Sequence, residues 1–351
     1  MWTPEYLLAA VLWIALCIYM LTAGADFGGG ILDLLSFGPH RAEKRKLIAN
    51  QIAPIWESNH IWLIIIVVLL FVCFPLVFET ISIVLHIPLT LVLVGIILRG
   101  CSFIFRAYDL PNSQTQKTWG FIFGIASLLT PFMLGICLAT IASGQIPTLP
   151  SPTFIDGSWG TSRQIIDQDF YFYFIGPWLQ KFPVIIGFLT LSLCGLLSSL
   201  YLVLRANSEK LKNDFRKFGI LFEVLTAVSL LIAIFTSRTD APRLHEALLY
   251  EDWSLALQAL TFLSAIVLFS ALRKGYDRVA QLAGISQVLL VLLGWALGQF
   301  PYLIVDTHTI LDSAASRAIL NPVLIALGVG ACALIPSFIW LYRLFSPTKP
   351  V

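Results

Sequence analysis

Residues 119–142 read WGFIFGIASLLTPFMLGICLATIA, an apolar stretch without a charged side chain. A bilayer core takes about 20 helical residues to cross, so this stretch predicts a transmembrane helix. Comparable stretches recur along the chain, and they are continuous rather than alternating, which favours helices over a β-barrel. We therefore expect an all-α, polytopic transmembrane bundle that forms one integral membrane domain over residues 1–351. The nine predicted spans lie near residues 6–25, 58–78, 80–104, 119–142, 180–204, 217–236, 254–272, 279–298 and 320–343.

The overall composition supports this class. Of the 351 residues, 58% are hydrophobic and 12% are charged, and the mean hydropathy is +0.85. A soluble domain carries about 25% charged residues, so lipid must cover much of this surface. The net charge of +2 gives no reason to expect a nucleic-acid partner. The six cysteines lie in apolar stretches without a CxxC pair, and we expect them to be structural thiols.

The basic residues predict an orientation. If the N-terminus is outside, the loops on the cytoplasmic side hold all but five of the 22 Lys and Arg residues. Basic residues concentrate on the cytoplasmic side of membrane proteins, so we expect the N-terminus outside and the C-terminus in the cytoplasm. The five exceptions are Arg163, Lys181, Arg238, Arg243 and Arg317.

Two polar segments interrupt the apolar spans and mark candidate sites. Asp26 lies in GADFGGG (residues 24–30), where the glycines would let another helix or a cofactor approach the backbone. Glu57, Asn59 and His60 lie in PIWESNHIWL (residues 54–63), and Glu57 and His60 share a helical face. Such groups near one depth could pass protons inward from the cytoplasm. The alternative is a polar cluster that pairs with arginine for packing alone.

Three further charged residues have simpler interpretations at this stage. Arg99 and Arg106 are seven residues apart and share a helical face, and their side chains are expected to extend to the cytoplasmic surface. Asp33 is expected to lie near the surface in contact with water.

The chain offers few ligands for redox centres. Haem needs axial His, Met, Cys or Tyr. The sequence has only three methionines, no two histidines four residues apart, and no CxxCH, Rossmann or P-loop motif. We therefore expect no metal site and no catalytic residue in this chain.

Four segments together resemble a known family. They are residues 24–30, residues 54–63, the stretch from Arg99 to Arg106, and WALGQFPY at residues 295–302. Their order and spacing are similar to those of subunit II of the cytochrome bd-type quinol oxidases, over essentially the whole chain. Many relatives carry further carboxylates where Ala23 and Ile104 stand here.

The resemblance implies a non-haem-ligating subunit of a respiratory terminal oxidase that oxidises quinol and reduces dioxygen to water. Two haem b groups and one haem d are expected on subunit I, the partner in a heterodimer. A small accessory subunit and a bound quinone or lipid are compatible with this reading. The expected location is a bacterial-type inner membrane, and a thylakoid-like internal membrane is also compatible.

By position, the resemblance assigns two groups of residues. The proton-pathway group consists of Asp26, Glu57, Asn59 and His60. The group for subunit contact or oxygen access consists of Trp56, Trp62, Arg99, Arg106, Gly28 and Gly30. Two other functions stay open from the sequence: a proton-coupled secondary transporter that uses Asp26 and Glu57, and a purely structural scaffold.

Overall fold

The computed structural model describes residues 3–38, 40–52, 56–108, 114–148, 153–155, 158–160 and 169–344. These residues form thirteen helices and two short antiparallel hairpins. The helices are α1 (Pro4–Leu34), α2 (Arg41–Ile52), α3 (Trp56–Cys73), α4 (Pro75–Val84), α5 (His86–Tyr108), α6 (Gln114–Ser143), α7 (Phe170–Phe174), α8 (Lys181–Arg205), α9 (Glu209–Asp240), α10 (Pro242–Tyr250), α11 (Ser254–Lys274), α12 (Asp277–Gln299) and α13 (Arg317–Leu344). The strands are β1 (Thr153–Ile155), β2 (Ser158–Gly160), β3 (Tyr302–Ile304) and β4 (His308–Thr309).

Eight of the helices in the described ranges are long and apolar enough to cross a membrane. They are α1, α5, α6, α8, α9, α11, α12 and α13, and each contains one of the predicted spans or most of it. This confirms the predicted all-α transmembrane bundle.

The second predicted span is broken, which corrects the expectation of a continuous helix over residues 58–78. Residues Asn59–Cys73 of α3 and the whole of α4 are bent by 116° at Phe74. Pro75 begins α4, where a proline fits because the first helical turn needs no N–H donor. The described chain therefore has nine spans only if this bent pair counts as one.

The packing divides the spans into two groups. In the first, α5 packs on α6, and α1 packs on α3 and α6. In the second, α8 packs on α9 and α12, and α11 packs on α12. Contacts of α8 with α1 and α6 join the two groups. Helix α13 is the least buried span and touches α1 and α3 from the outside.

The hydrophobic core lies where the two groups meet. Its largest cluster joins α1 to α8, α9 and α11, with Phe27 and Phe215 among its fully buried side chains. Much of the remaining apolar surface faces outward, as expected for helices in lipid. The core therefore surrounds the middle of α1, the helix that carries Asp26.

Candidate functional site: buried ion pairs along α1

Asp26 and Arg99 form a buried ion pair between α1 and α5. Arg99 Nη1 donates to Asp26 Oδ2 at 2.7 Å, and Nη2 donates to Oδ1 at 2.6 Å. Nη2 also donates to the Asp26 backbone carbonyl at 3.0 Å. Both side chains are only 2% exposed. Two parallel, charge-assisted hydrogen bonds of this kind are stronger than hydrogen bonds between neutral groups and fix the geometry of the pair.

The Arg99 side chain is fixed on its other sides as well. Its Nε donates to Ser127 Oγ of α6 at 3.1 Å. Its guanidinium carbon lies 5.0 Å from the ring centre of Phe27 and 5.1 Å from that of Phe123, within the range of cation–π attraction. Arg99 therefore does not extend to the cytoplasmic surface, and that expectation was wrong. These contacts satisfy the guanidinium inside the bundle.

A second ion pair repeats the first one further along the same helices. Arg106 Nη1 donates to Asp33 Oδ2 at 2.9 Å, and Nη2 donates to Oδ1 at 3.2 Å. Arg45 of α2 donates to the Asp33 carbonyl from Nη2 at 3.3 Å. The Asp33 side chain is 1% exposed, so the expectation that it contacts water was wrong. Its burial is possible because two arginines surround it.

The two pairs have equal spacing. Asp26 and Asp33 are seven residues apart on α1, and Arg99 and Arg106 are seven apart on α5. Seven residues are almost two turns, so each set lies on one face of its helix. The pairing also requires α1 and α5 to run in the same direction. This spacing was the signal in the sequence that could have identified Asp33.

The glycines after Asp26 allow close packing inside the chain. A Cβ atom at Gly28 would lie 1.9 Å from the backbone oxygen of Cys194 in α8. At Gly30 it would lie 2.0 Å from Ser127 Oγ. Both glycines are buried. The approach to the backbone that the sequence predicted is therefore made by helices of the same chain, and the role of these glycines in subunit contact stays a prediction.

His60 lies beside this site on α3. Its ring centre is 6.1 Å from that of Phe27 and 6.2 Å from that of Tyr19. Neither His60 Nδ1 nor Tyr19 Oη has a hydrogen-bond partner within the described part of the chain. Tyr19 precedes Asp26 by seven residues, so Tyr19, Asp26 and Asp33 form one polar stripe along α1. Sequence analysis missed Tyr19 because a tyrosine in an apolar span looks ordinary.

The structure describes the surroundings of the other predicted residues only in part. Asn59 is buried, at 1% exposed. Trp62 is half-buried and stacks on Phe338 of α13, with ring centres 5.6 Å apart. Trp56 and Glu57 begin α3, but their side chains lie outside the described residues. The predicted roles of these residues in proton passage, subunit contact or oxygen access stay predictions.

The described residues of the stripe place charges and hydrogen-bonding groups inside the bundle. Within the described ranges, no group of three or more His, Cys, Asp or Glu side chains is placed to hold a metal ion. The stripe instead carries hydrogen-bonding groups and fixed charges into an apolar bundle, where charged residues commonly mark ion or proton pathways. Fold and site together define a multi-pass helical membrane protein with an internal polar stripe.

Comparison with known proteins gives the family. The profile of the family described as cytochrome bd terminal oxidase subunit II matches residues 4–345. The chain belongs to this family, which confirms the resemblance found in the sequence. It is thus a subunit of a cytochrome bd quinol oxidase complex, an oxidoreductase of respiration, and a multi-pass membrane protein.

Individual relatives agree with this assignment. The chain is 30% identical over 140 residues to the cytochrome bd ubiquinol oxidase subunit 2 of Bacillus subtilis, a match that covers 40% of each chain. A second B. subtilis protein, provisionally named a cytochrome bd menaquinol oxidase subunit II, is 24% identical over 99% of this chain and 97% of its own length. The cytochrome bd-I ubiquinol oxidase subunit 2 of Escherichia coli K12 is 27% identical over 40% of this chain and 35% of its own length.

A solved structure matches the fold. The bd oxidase from Geobacillus thermodenitrificans aligns with a TM-score of 0.76 over 98% of both chains, at 20% sequence identity. The match therefore covers nearly the full length of the helical bundle. None of the relatives named here is a transporter, and the comparisons give that alternative no support.

Proposed function

We propose that this chain is the proton-delivering partner of a haem-bearing subunit I, in a complex that oxidises quinol and reduces dioxygen to water. The observation that carries the proposal is the polar stripe on α1, where Tyr19, Asp26 and Asp33 share one face of the helix. Asp26 and Asp33 are each paired with an arginine, and the His60 ring lies beside that of Tyr19. An apolar bundle gains no packing advantage from such charges, because each costs about 2.5–3.5 kcal/mol near the bilayer centre on insertion scales.

The stripe has an outer and an inner part. The outer part consists of Asp33 with Arg45 and Arg106, whose side chains are 29% and 21% exposed. The inner part begins at Asp26, about 10 Å further along α1. That separation exceeds the reach of a direct hydrogen bond, so water must carry the proton between the two parts.

Each residue has a separate role in this route. Arg99 holds Asp26 in a fixed position, and the fixed carboxylate orients water next to it. His60 is the group that accepts and releases the proton, since an imidazole has both a donor and an acceptor nitrogen. Tyr19 Oη extends the stripe beyond His60. Glu57 is proposed as a further cytoplasmic carboxylate of the route, on the basis of the resemblance.

The remaining parts of the proposal concern the complex. The two haem b groups and haem d belong to subunit I, so the isolated chain is inactive. Quinol and dioxygen are substrates of the assembled complex in a bacterial inner membrane. Trp62 and the outward faces of the spans are the surfaces proposed for subunit contact or oxygen access. The resemblance of the chain to the oxidase family supports this division.

The test uses the assembled complex. His60→Leu should lower the rate of quinol-dependent oxygen consumption by roughly 10²-fold if the lost group transfers protons, with the haem spectrum unchanged. The double variant Asp26→Asn/Arg99→Gln leaves no buried charge unpaired, and it should lower the same rate because the carboxylate that orients the water is lost. Glu57→Gln tests the proposed cytoplasmic carboxylate. The matched control is Glu43→Gln, an exposed carboxylate on α2. If every variant other than the control consumes oxygen at the wild-type rate, the chain is a scaffold and the proton route is wrong.

A further inference from the structure

A second buried carboxyl lies in the other group of helices. Glu223 of α9 is 4% exposed and Gln287 of α12 is 1% exposed. Gln287 Nε2 donates to Glu223 Oε1 at 3.1 Å. Glu223 Oε2 and Gln287 Oε1 have no hydrogen-bond partner within the described residues, nor has Thr226 Oγ1 one turn further along α9. Three buried oxygen atoms are therefore left unsatisfied in one region.

The position of Glu223 makes these unsatisfied atoms costly. It follows Lys217, the last of the charged residues that begin α9, by six residues, so it lies about 9 Å into the apolar part of this helix. Water does not reach such a depth freely, and an unsatisfied polar atom there loses its hydration without replacement. A pair of helices would not keep these atoms unless a further ligand completed their hydrogen bonds.

The chemistry of the pair identifies that ligand. If Glu223 is ionised, its Oε2 and the Gln287 Oε1 are both acceptors and cannot bond to each other. If Glu223 carries a proton on Oε2, its O–H becomes a donor for the Gln287 carbonyl. The existing bond from Gln287 Nε2 then completes a reciprocal pair between a carboxylic acid and an amide. One proton satisfies both atoms at once.

No described cation provides an alternative. Within the described ranges, Glu223 has no ion-pair partner. The titratable groups on the elements packed against α9 are engaged elsewhere or lie at the surface. Arg216 pairs with Asp277, Arg205 lies over Tyr201, Arg273 lies over Phe269, His245 contacts Ser237, Cys194 is buried on α8, and Lys274 and Arg278 are exposed.

We propose that Glu223 and Gln287 form a proton-binding site that holds one proton between α9 and α12. The site is separate from the Asp26–Arg99 pair, which joins α1 to α5 in the first group of helices. Thr226 supplies the next hydrogen-bonding group on the same helix and gives a water molecule a place from which to deliver the proton. The inference does not depend on the proposed route along α1.

Infrared spectroscopy of the purified complex tests this site. The wild type should show the carbonyl stretch of a neutral carboxylic acid at neutral pH, with a shift in D₂O. Glu223→Gln should remove this band, whereas the exposed control Glu43→Gln should keep it. Gln287→Leu should keep the acid but move the band to higher wavenumber, since the carboxyl loses its hydrogen-bonding partner.

Each other result would overturn the proposal. An identical spectrum in the wild type and Glu223→Gln means that Glu223 is ionised. Loss of the band when Na⁺ is added at constant pH means that the three oxygens bind a cation instead. Because Gln is a neutral isostere of the protonated side chain, Glu223→Gln should also assemble and melt like the wild type. Its failure to assemble, when Glu43→Gln assembles, means that the site needs the negative charge.

Discussion

Arg99 and Asp26 each place a full charge among apolar helices, so neither residue is stable there without the other. Arg99→Met should lower the free energy of unfolding by about 3–5 kcal/mol, because it leaves Asp26 uncompensated. Adding Asp26→Leu should recover most of this loss, since a buried ion pair replaced by apolar side chains of similar volume often keeps its stability. Thermal unfolding of the purified complex measures both effects.

The control for this experiment is Arg273→Met. Arg273 is exposed at the end of α11, and its guanidinium lies over the ring of Phe269 on the same helix. Its removal should cost well under 1 kcal/mol, the usual range for an exposed charge. Equal destabilisation by Arg99→Met and Arg273→Met would contradict the importance of the internal pair.

At the scale of residues, the sequence located the polar and charged positions inside the spans but did not predict how they are paired. Asp26 and His60 stand out because charge and imidazole are rare in apolar spans. The partner of Asp26 could not be chosen from the sequence, since Arg99 is remote along the chain and could equally extend to the surface. Asp33 was misplaced because its burial depends on Arg45 and Arg106, which only the packing brings together.

The contact between α1 and α8 depends on one absent side chain. Gly28→Ala would place a methyl group 1.9 Å from the Cys194 backbone oxygen, and a backbone atom cannot rotate away. The helices must separate, so we expect a loss of about 1–3 kcal/mol or more. The measurement is thermal unfolding of the complex.

Gly328→Ala is the matched control, because a Cβ at that position on α13 meets nothing within 4 Å. It should leave stability unchanged or raise it by up to about 1 kcal/mol through helix propensity. If Gly28→Ala and Gly328→Ala melt at the same temperature, α1 and α8 are packed less closely than the distance at Gly28 indicates.

The hairpin of β3 and β4 should respond to acid. His308 Nε2 lies 3.0 Å from Thr80 Oγ1 of α4. Burial lowers the pKa of His308 below its ordinary value of 6.5, although Glu79 and Asp312 act in the opposite direction. The unfolded chain therefore binds this proton more readily than the folded one. Its contribution to stability is complete above the ordinary pKa and is lost as the pH falls from there through the lowered pKa.

This contribution can be isolated with His308→Gln, which removes the titrating group. The melting temperature should be measured from about pH 8 to about pH 5, the range in which histidine changes its charge. It should fall less steeply with decreasing pH for this variant than for the wild type. Parallel curves would contradict a role for His308.

At the scale of elements, apolar length located every span, but it did not reveal the break in the second one. The apolar run continues through Phe74 and Pro75, so a window of hydropathy passes over the bend. Pro75 was the available signal, since a proline in a helix interior removes a hydrogen bond and clashes with the preceding turn. The size of the bend depends on packing around α4, which the local sequence does not specify.

For the whole molecule, the distribution of basic residues predicts that the C-terminus is cytoplasmic. A reporter that is active only outside the cytoplasm should be silent when fused at residue 351 and active when fused after residue 148, in the loop between α6 and α7. The opposite pattern would reverse the orientation. The parallel course of α1 and α5 agrees with either direction, because it constrains only their relation to each other.

The spacing of the ion pairs has a consequence for biosynthesis. Asp26 and Arg99 are 73 positions apart, so α1 is synthesised well before its partner helix exists. Released alone into lipid, α1 would expose an unpaired carboxylate, which costs up to about 2.5–3.5 kcal/mol on insertion scales. We therefore expect α1 to remain beside the insertion machinery until α5 emerges. A nascent chain truncated after α4 should consequently be retained there, whereas one extended through α5 should enter the bilayer with both charges already paired.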